Sequence, residues 1–120
     1  MIFTAINDNR AEAIADARAN IAFYTQSPQY LRYFEAIGFG TEARAIQGAF
    51  AVQDYEAMAK SCPDEMVSAI TILGSADAVR AQVAERAIHA NSITPVVPQF
   101  GIAPEKAALY RQRIADLFYG

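Results

Sequence analysis

The sequence has few of the residues on which covalent cross-links and histidine-based sites depend. Its 120 residues contain one cysteine, one histidine and no tryptophan. A single cysteine, Cys62, excludes a disulfide within this sequence, which suits a reducing compartment. A single histidine, His89, excludes a metal site or a catalytic dyad built from two histidines. The spacings C-x-x-C and H-E-x-x-H are also absent, so we expect no metal site.

The sequence also lacks long apolar runs and clusters of positive charge. No apolar stretch approaches the roughly 18 residues that a membrane span needs. The first ten residues, MIFTAINDNR, have no basic segment followed by a long apolar one, so we expect no signal peptide. The net charge is −3 at pH 7, and lysines and arginines are spread singly. We therefore expect a soluble cytoplasmic protein that binds neither nucleic acid nor membrane.

The residues that are present indicate one globular domain. Apolar residues make up 53% of the chain and charged residues 19%. A chain of this length can bury a core without disulfides or a metal ion. Neither a linker nor an internal repeat divides it, and abundant alanine favours closely packed helices. We predict a single domain over residues 1–120.

The most distinctive stretch is residues 21–40, IAFYTQSPQYLRYFEAIGFG, which is rich in aromatic residues. These are Phe23, Tyr24, Tyr30, Tyr33, Phe34 and Phe39. A helix is predicted to end at Ser27, because a residue before proline is disfavoured in the helical region. Pro28 can open a second, short helix that Gly38 would end. The rings should cluster at this corner, and periodicity alone assigns them to the core.

Two segments have the composition of β-strands. Ile2–Ile6 (IFTAI) is apolar and ends at a run of asparagine and aspartate, which predicts a buried strand. Residues 92–97 (SITPVV) predict a second strand, which Pro95 restricts to an edge or an irregular form. If adjacent, the two strands would be parallel, because a long helical crossover joins them. Residues 69–73 (AITIL) could end a helix or form a short strand, and we favour the helix end.

The first helix is predicted from Arg10 to about Gln26, with Asp8 or Asn9 as its N-cap. Its apolar residues recur at spacings of three and four, and its polar residues lie off that face. The apolar residues are Ile14, Ala17, Ile21 and Tyr24, and the polar ones are Glu12, Asp16 and Asn20.

Later helix boundaries follow from caps and prolines. Thr41 is the predicted N-cap of a helix that continues as far as Pro63, where a further helical piece begins. Ser75 is the predicted N-cap of a helix that runs to about His89. Pro104 begins the last helix, whose apolar residues recur at steps of three and four.

Few side chains could carry chemistry on their own, and we predict no catalytic residue in this chain. His89 could be a general acid–base group, but we favour contact with the terminal carbonyls of its helix. Cys62 could be a nucleophile activated at a helix N-terminus, but we favour a buried, inert thiol. Gly74 and Ser75 could bind a phosphate through backbone N–H groups, although a helix cap alone explains them.

Two long stretches resemble the C-terminal part of bacterial luciferase-like monooxygenases, above all the branch that uses a deazaflavin cofactor. They are RANIAFYTQSPQYLRYFEAIGFG and DEMVSAITILGSADAVRAQVAE. The shared motifs are F-Y at the end of an alanine-rich helix, P-x-Y, a G-F pair, an acidic pair before an apolar run, and G-[ST]-x-x-x-V. In this sequence they are Phe23-Tyr24, Pro28-Gln29-Tyr30, Gly38-Phe39, Asp64-Glu65, and Gly74-Ser75 with Val79.

The resemblance implies an α/β fold, the C-terminal portion of a TIM barrel. Within this chain it implies a mostly helical structure with Ile2–Ile6 as a late barrel strand and residues 92–97 as the final one. The helix that begins at Pro104 would then close the barrel. The chain would supply barrel closure and part of the substrate-side wall, for which the candidates are Tyr24, Tyr30 and Phe34.

The resemblance also implies a parent enzyme that uses FMN or a deazaflavin for hydride transfer or monooxygenation of a small organic substrate. Family members hold this cofactor mostly with earlier barrel strands, which this sequence lacks, so the chain alone need bind none. Part of a barrel should expose strand edges and an apolar face. We therefore expect a homo-oligomer or a complex with the missing N-terminal barrel portion.

Two other interpretations remain open. The chain begins with Met1 and contains no cofactor motif, which would suit a non-catalytic, helix-rich domain that self-associates through its apolar face. It could also be a small-ligand binding module with the aromatic corner as its pocket. We favour the oxidoreductase segment over both.

Overall fold

The chain folds as helices around a small parallel sheet, and the computed structural model describes all 120 residues. The elements in order are β1 (Ile2–Ile6), α1 (Arg10–Thr25), a short 3₁₀ turn (Pro28–Tyr30), α2 (Leu31–Ala36), α3 (Gly40–Ala51), α4 (Tyr55–Lys60), α5 (Asp64–Ile70), β2 (Thr71–Gly74), α6 (Ala76–Ala87), β3 (Pro95–Val96) and α7 (Pro104–Tyr119). The α/β class and the mostly helical content agree with expectation. None of the helices combines the length and apolar character needed to cross a bilayer.

Strand β1 lies in the middle of the sheet, whose order is β2-β1-β3 with both pairs parallel. Three strands are present where two were predicted. The preference for a helix end over residues 69–73 was wrong, because α5 ends at Ile70 and Thr71–Gly74 is a buried strand paired with β1. A short apolar run takes its conformation from the strand beside it, which local sequence does not reveal.

The second predicted strand is shorter than expected, and it lies beside β1 in parallel, as predicted for adjacent strands. Of residues 92–97, only Pro95 and Val96 form a strand, at a sheet edge as proline requires. Strands of a barrel lie side by side in chain order, so a final barrel strand would neighbour β2. Strand β3 instead pairs with β1 on the side away from β2. The assignment of residues 92–97 as the final strand of a barrel is therefore wrong.

Both faces of β1 are covered, as is usual for parallel strands. Alternation puts Phe3 and Ala5 on one face and Ile2 and Ile6 on the other. Helix α1 covers the first face, where the rings of Tyr24 and Phe3 have centroids 5.0 Å apart. Helix α6 lies on the second face, because Ile2 and Ile6 each share a cleft with its residues.

Helix α7 crosses the carboxyl end of the sheet. The Lys106 ammonium near its start lies beside Glu12 in the first turn of α1. In its middle, the Arg113 guanidinium donates to the carbonyl of Ile6, the last residue of β1, at 2.8 Å. Toward its end, Leu117 shares a cleft with the first residue of α6. The predicted helix from Pro104 is therefore confirmed, and it covers the carboxyl end of the sheet.

Several predicted helix boundaries are confirmed and one is wrong. Asn9 and Ser75 cap α1 and α6, accepting the backbone N–H groups of residues 12 and 78. Gly38 has a φ of +91°, which suits the predicted glycine stop. Thr41 is not an N-cap, because α3 already begins at Gly40. The carbonyl of Phe39 accepts the first helical bond, from Ala43, so helical pairing starts before Thr41.

The helix predicted to continue from residue 41 to Pro63 is two helices. Helix α3 ends at Ala51, and Gln53 takes a φ of +58°. The Asp54 carboxylate then accepts the N–H of Ala57 and caps α4. An aspartate side chain can accept a backbone N–H group in place of a helical carbonyl. This explains why the helix is interrupted between α3 and α4.

The outer edge of β2 has no strand beside it, but a side chain occupies part of it. The Gln82 amide of α6 donates to the carbonyl of Leu73 at 2.9 Å. All four residues of β2 are buried. Helix α6 therefore covers a strand edge as well as a sheet face.

We expect Ile72→Ala to lower the free energy of unfolding by about 2–5 kcal/mol, because it leaves a cavity inside β2. Ile72 is fully buried. Val52→Ala is the control, since Val52 is 75% exposed and should change stability by less than about 0.5 kcal/mol. Urea unfolding followed by circular dichroism measures both. An effect of Ile72→Ala as small as that of the control would contradict the assignment of β2.

Candidate functional site

The three aromatic residues predicted for a substrate wall lie together in one cleft. Tyr24, Tyr30 and Phe34 line a cleft of about 440 Å³, and ten of its eleven lining residues are hydrophobic. Arg86 supplies the only charged side chain. Phe34 is buried in the core, whereas the two tyrosines are partly exposed. The aromatic corner around Pro28 thus forms an apolar cleft with the Arg86 guanidinium at its wall.

This cleft lies at the amino ends of the strands. Its strand residues are Ile2 and Phe3 at the start of β1, and Ile70 immediately precedes β2. In TIM-barrel enzymes the chemistry takes place at the carboxyl ends. A role for Tyr24 and Tyr30 in substrate binding stays a prediction, at a place remote from the usual reacting centre of a barrel.

The carboxyl ends of β1 and β2 meet at a tight turn into α6. The Asn7 N–H donates to the carbonyl of Gly74 at 2.8 Å. Gly74 has a φ of +126°, and a Cβ there would lie 3.3 Å from that of Ala78. Glycine therefore suits this position for structural reasons. The Ser75 hydroxyl oxygen accepts the N–H of Ala78 at 3.3 Å, as expected of a cap.

The start of α6 offers part of an anion site. The adjoining cleft of about 280 Å³ is lined by Ala76, Arg80 and Arg113. Free N–H groups in the first turn and two guanidinium groups favour an anion. The Asp116 carboxylate in the same cleft repels an anion, as does that of Asp77 in the first turn. No aromatic ring lines this cleft, so these residues fit the phosphate end of a flavin-type cofactor and not its ring.

A cluster of ionisable side chains joins α1, α7 and the loop after β1. The Lys106 ammonium lies 2.7 Å from the Glu12 carboxylate and 2.8 Å from that of Asp16. The Tyr110 hydroxyl donates to Asp16 at 2.6 Å and accepts from the Asn7 amide at 3.2 Å. The sequence analysis missed this cluster, because its members come from opposite ends of the chain. Its only local signal was a carboxylate on each of two successive turns of α1.

The electrostatics of this cluster favour a structural role. Hydrogen bonds to Asp16 and then Glu12 raise the pKa of Lys106 above its usual range. Burial raises the pKa of Tyr110 to about 12. The hydrogen bond from Lys106 lowers the pKa of Glu12. Lys106 and Tyr110 therefore keep their protons at neutral pH, so neither is suited to acid–base catalysis there.

The remaining reactive residues form no site. Cys62 is buried, and the loss of hydration raises its pKa to about 12, which fits an inert thiol. His89 is exposed after α6, and only its backbone N–H forms a hydrogen bond, to Arg86. No three His, Cys, Asp or Glu side chains lie close enough to hold a metal ion.

We expect the free energy of unfolding to fall as the pH rises above about 9. The pKa values of Cys62 and Tyr110 lie above their ordinary values of 9.0 and 10.0, so the folded chain keeps protons that the unfolded chain releases. This stabilisation is complete below pH 9 and is lost between about pH 9 and 12. Urea unfolding from pH 7 to 11 measures it, and Tyr110→Phe should flatten the slope above pH 10. A constant free energy from pH 8 to 11 would be inconsistent with both shifts.

Comparison with known protein families gives a match over most of the chain. The family model described as luciferase-like monooxygenase matches residues 1–90. Comparisons with curated proteins and with solved structures found no match. The matched range includes β1, β2 and α6 and ends before β3 and α7. Members of this family are oxidoreductases with a TIM-barrel fold that usually bind flavin-type cofactors. Because the match covers well over half of its residues, the chain belongs to the luciferase-like monooxygenase family.

Proposed function

We propose that this chain is the C-terminal part of a flavin- or deazaflavin-dependent oxidoreductase that acts on a small organic substrate. The family match over residues 1–90 carries this proposal, because it spans β1, β2 and the helices that follow each of them. The bound cofactor supplies hydride transfer or monooxygenation. This chain contributes β1, β2 and the loops that follow them. It offers no catalytic side chain of its own.

The first turn of α6 is the proposed contact for the phosphate of the cofactor. It follows the carboxyl end of β2, the end at which barrel enzymes bind their ligands. The N–H groups of Ala76 and Asp77 belong to the first turn, which has no carbonyl partners inside the helix. Arg80 lies near and pairs with Asp77 at 3.8 Å. Because Asp77 competes with the phosphate for Arg80, the affinity of this chain alone should be weak.

The cleft lined by Tyr24, Tyr30 and Phe34 supports a second candidate function, a small-ligand binding module. Its volume of about 440 Å³ lies within the range of ligand pockets. The start and end of β1 are about 13 Å apart at the rise of a strand. A molecule in this cleft is therefore separate from a phosphate at α6. As a substrate wall, the three residues would hold a part of the substrate remote from the cofactor phosphate.

The proposed barrel also requires a partner. Eight strands close a TIM barrel, and this chain has only three. The missing N-terminal barrel portion or a second copy of this chain would supply neighbours for its strands. With its single buried cysteine, the chain suits the cytoplasm, where thiols stay reduced.

Titration of the isotope-labelled chain with FMN, with riboflavin as the control, tests the phosphate contact. We expect FMN to shift the amide resonances of Ser75, Ala76 and Asp77 saturably. Riboflavin should not, because it lacks the phosphate. Arg80→Ala should weaken FMN binding about two- to fivefold, the effect of one exposed charge. Arg111→Ala, on the exposed side of α7, is the matched control. Equal shifts with riboflavin, or none with FMN, would rule out this contact.

Binding of the apolar dye 8-anilinonaphthalene-1-sulfonate tests the cleft. We expect one saturable site, because the cleft is apolar and Arg86 can face the sulfonate. Tyr30→Ala should weaken binding about fivefold through the loss of one aromatic wall. Tyr55→Ala is the control, since Tyr55 is exposed and lies outside this cleft. If Tyr30→Ala binds the dye as the unmodified chain does, Tyr30 serves only packing.

A further inference from the structure

The cleft of about 440 Å³ at the amino ends of the strands, which we name the aromatic cleft, adjoins a second cleft. The second cleft has a volume of about 380 Å³ and is more polar, since His89 and Ser92 are among its seven lining residues. Met1, Ile2 and Arg86 line both clefts and therefore lie where the two meet. We name the two clefts together the trough, which has an apolar part and a polar part.

The apolar part of the trough is walled mainly by rings. The ring centroids of Phe3 and Tyr24 lie 5.0 Å apart, and those of Tyr33 and Phe34 lie 5.3 Å apart, both pairs tilted. Tyr30 adds a fifth ring to the same cleft. Aromatic rings attract one another in tilted and offset arrangements, so such walls gain more from a ligand with a ring than from an alkyl chain. The aromatic cleft therefore favours an aromatic ligand.

Arg86, at the junction of the two clefts, is a cation without a counter-ion. It lies in the last turn of α6, and none of the ion pairs of the chain includes it. Its guanidinium forms no hydrogen bond, since those from arginine side chains come from Arg18, Arg44 and Arg113. A cation in the last turn also stabilises its helix, but that role does not explain why neither cleft is lined by aspartate or glutamate. The trough therefore has a positive charge for which no carboxylate of its own competes.

The tyrosine hydroxyls of the aromatic cleft are also available to a ligand. Those of Tyr24, Tyr30 and Tyr33 form no hydrogen bond within the chain, whereas the Tyr110 hydroxyl forms two. None of the three is both buried and without a partner, so water or a ligand can reach them. A phenol hydroxyl donates readily to an oxygen anion. The cleft thus combines aromatic walls with donors and a cation.

We propose that the trough binds an aromatic monocarboxylate, with its ring in the aromatic cleft and its carboxylate at Arg86. A guanidinium group matches a carboxylate with two parallel N–H···O bonds. The polar cleft, with His89 and Ser92, lies beside the carboxylate and keeps that end of the ligand in contact with water. The proposal deepens the second candidate function, on which it rests, by naming the chemical class of the ligand.

Two ligands that differ only in charge test the proposal, 1-naphthaleneacetate and its neutral amide, 1-naphthaleneacetamide. The chain has no tryptophan, so the fluorescence anisotropy of the naphthalene ring can be followed without tryptophan emission. We expect both to bind saturably, and the carboxylate about fivefold more tightly, the effect of one solvent-accessible ion pair. Equal affinities would overturn the proposal and leave the binding module standing. Binding of neither would overturn both, and since neither ligand has a phosphate, the FMN titration is independent of this result.

Two variants separate the role of the charge from that of the rings. Arg86→Gln should weaken binding of the carboxylate about fivefold and leave that of the amide unchanged. Arg111→Gln, the same change of charge at an exposed position of α7, is the control and should alter neither. Tyr30→Ala should weaken binding of both ligands by about the same factor, through the loss of one ring. An equal effect of Arg86→Gln on both ligands, or no effect of Tyr30→Ala on either, would overturn the proposal.

Discussion

The structure depends on the need of β1 for pairing on both of its edges. The N–H and C=O groups of a buried strand need hydrogen-bond partners, which neighbouring strands or side chains must supply. Strand β2, which follows β1 after a long helical segment, lies on one side of β1. Strand β3, which comes after the residues matched by the family model, lies on the other. The long segment between β1 and β2 folds as five helices, of which α1 covers one sheet face. Helix α6 covers the other, and α7 crosses the end.

The two ends of this sheet have different chemical character. The amino end carries the apolar cleft of Tyr24, Tyr30 and Phe34, with one guanidinium group at its wall. The carboxyl end carries a helix start, two arginines and a covering helix. In the proposed enzyme, the carboxyl end belongs to the cofactor. The amino end then has the properties of a separate pocket, which explains how one short segment supports two candidate functions.

Elements whose conformation is determined by residues close in sequence could be predicted. Strand β1, helix α1, the glycine stop at Gly38 and the cap at Ser75 each follow from a local pattern, and so do the start and periodicity of α7. The grouping of Tyr24, Tyr30 and Phe34 could also be inferred, because they lie on one short stretch around a proline. Strand β2 could not, since its conformation comes from pairing with β1. The burial of Asp16 and Asn20 could not be predicted either, because their hydrogen-bond partners lie 77 or more residues away in the sequence.

The contact between Gln82 and the carbonyl of Leu73 bears on how this chain behaves at high concentration. Strand β2 is wholly buried on its faces and ends the sheet, so its outer carbonyls and amides are the natural template for a foreign strand. With a glutamine amide already on one of those carbonyls, an incoming strand must first break that bond and move α6 aside. Pairing of a foreign strand with the side of the sheet that lacks one is thereby made less favourable by one neutral side chain.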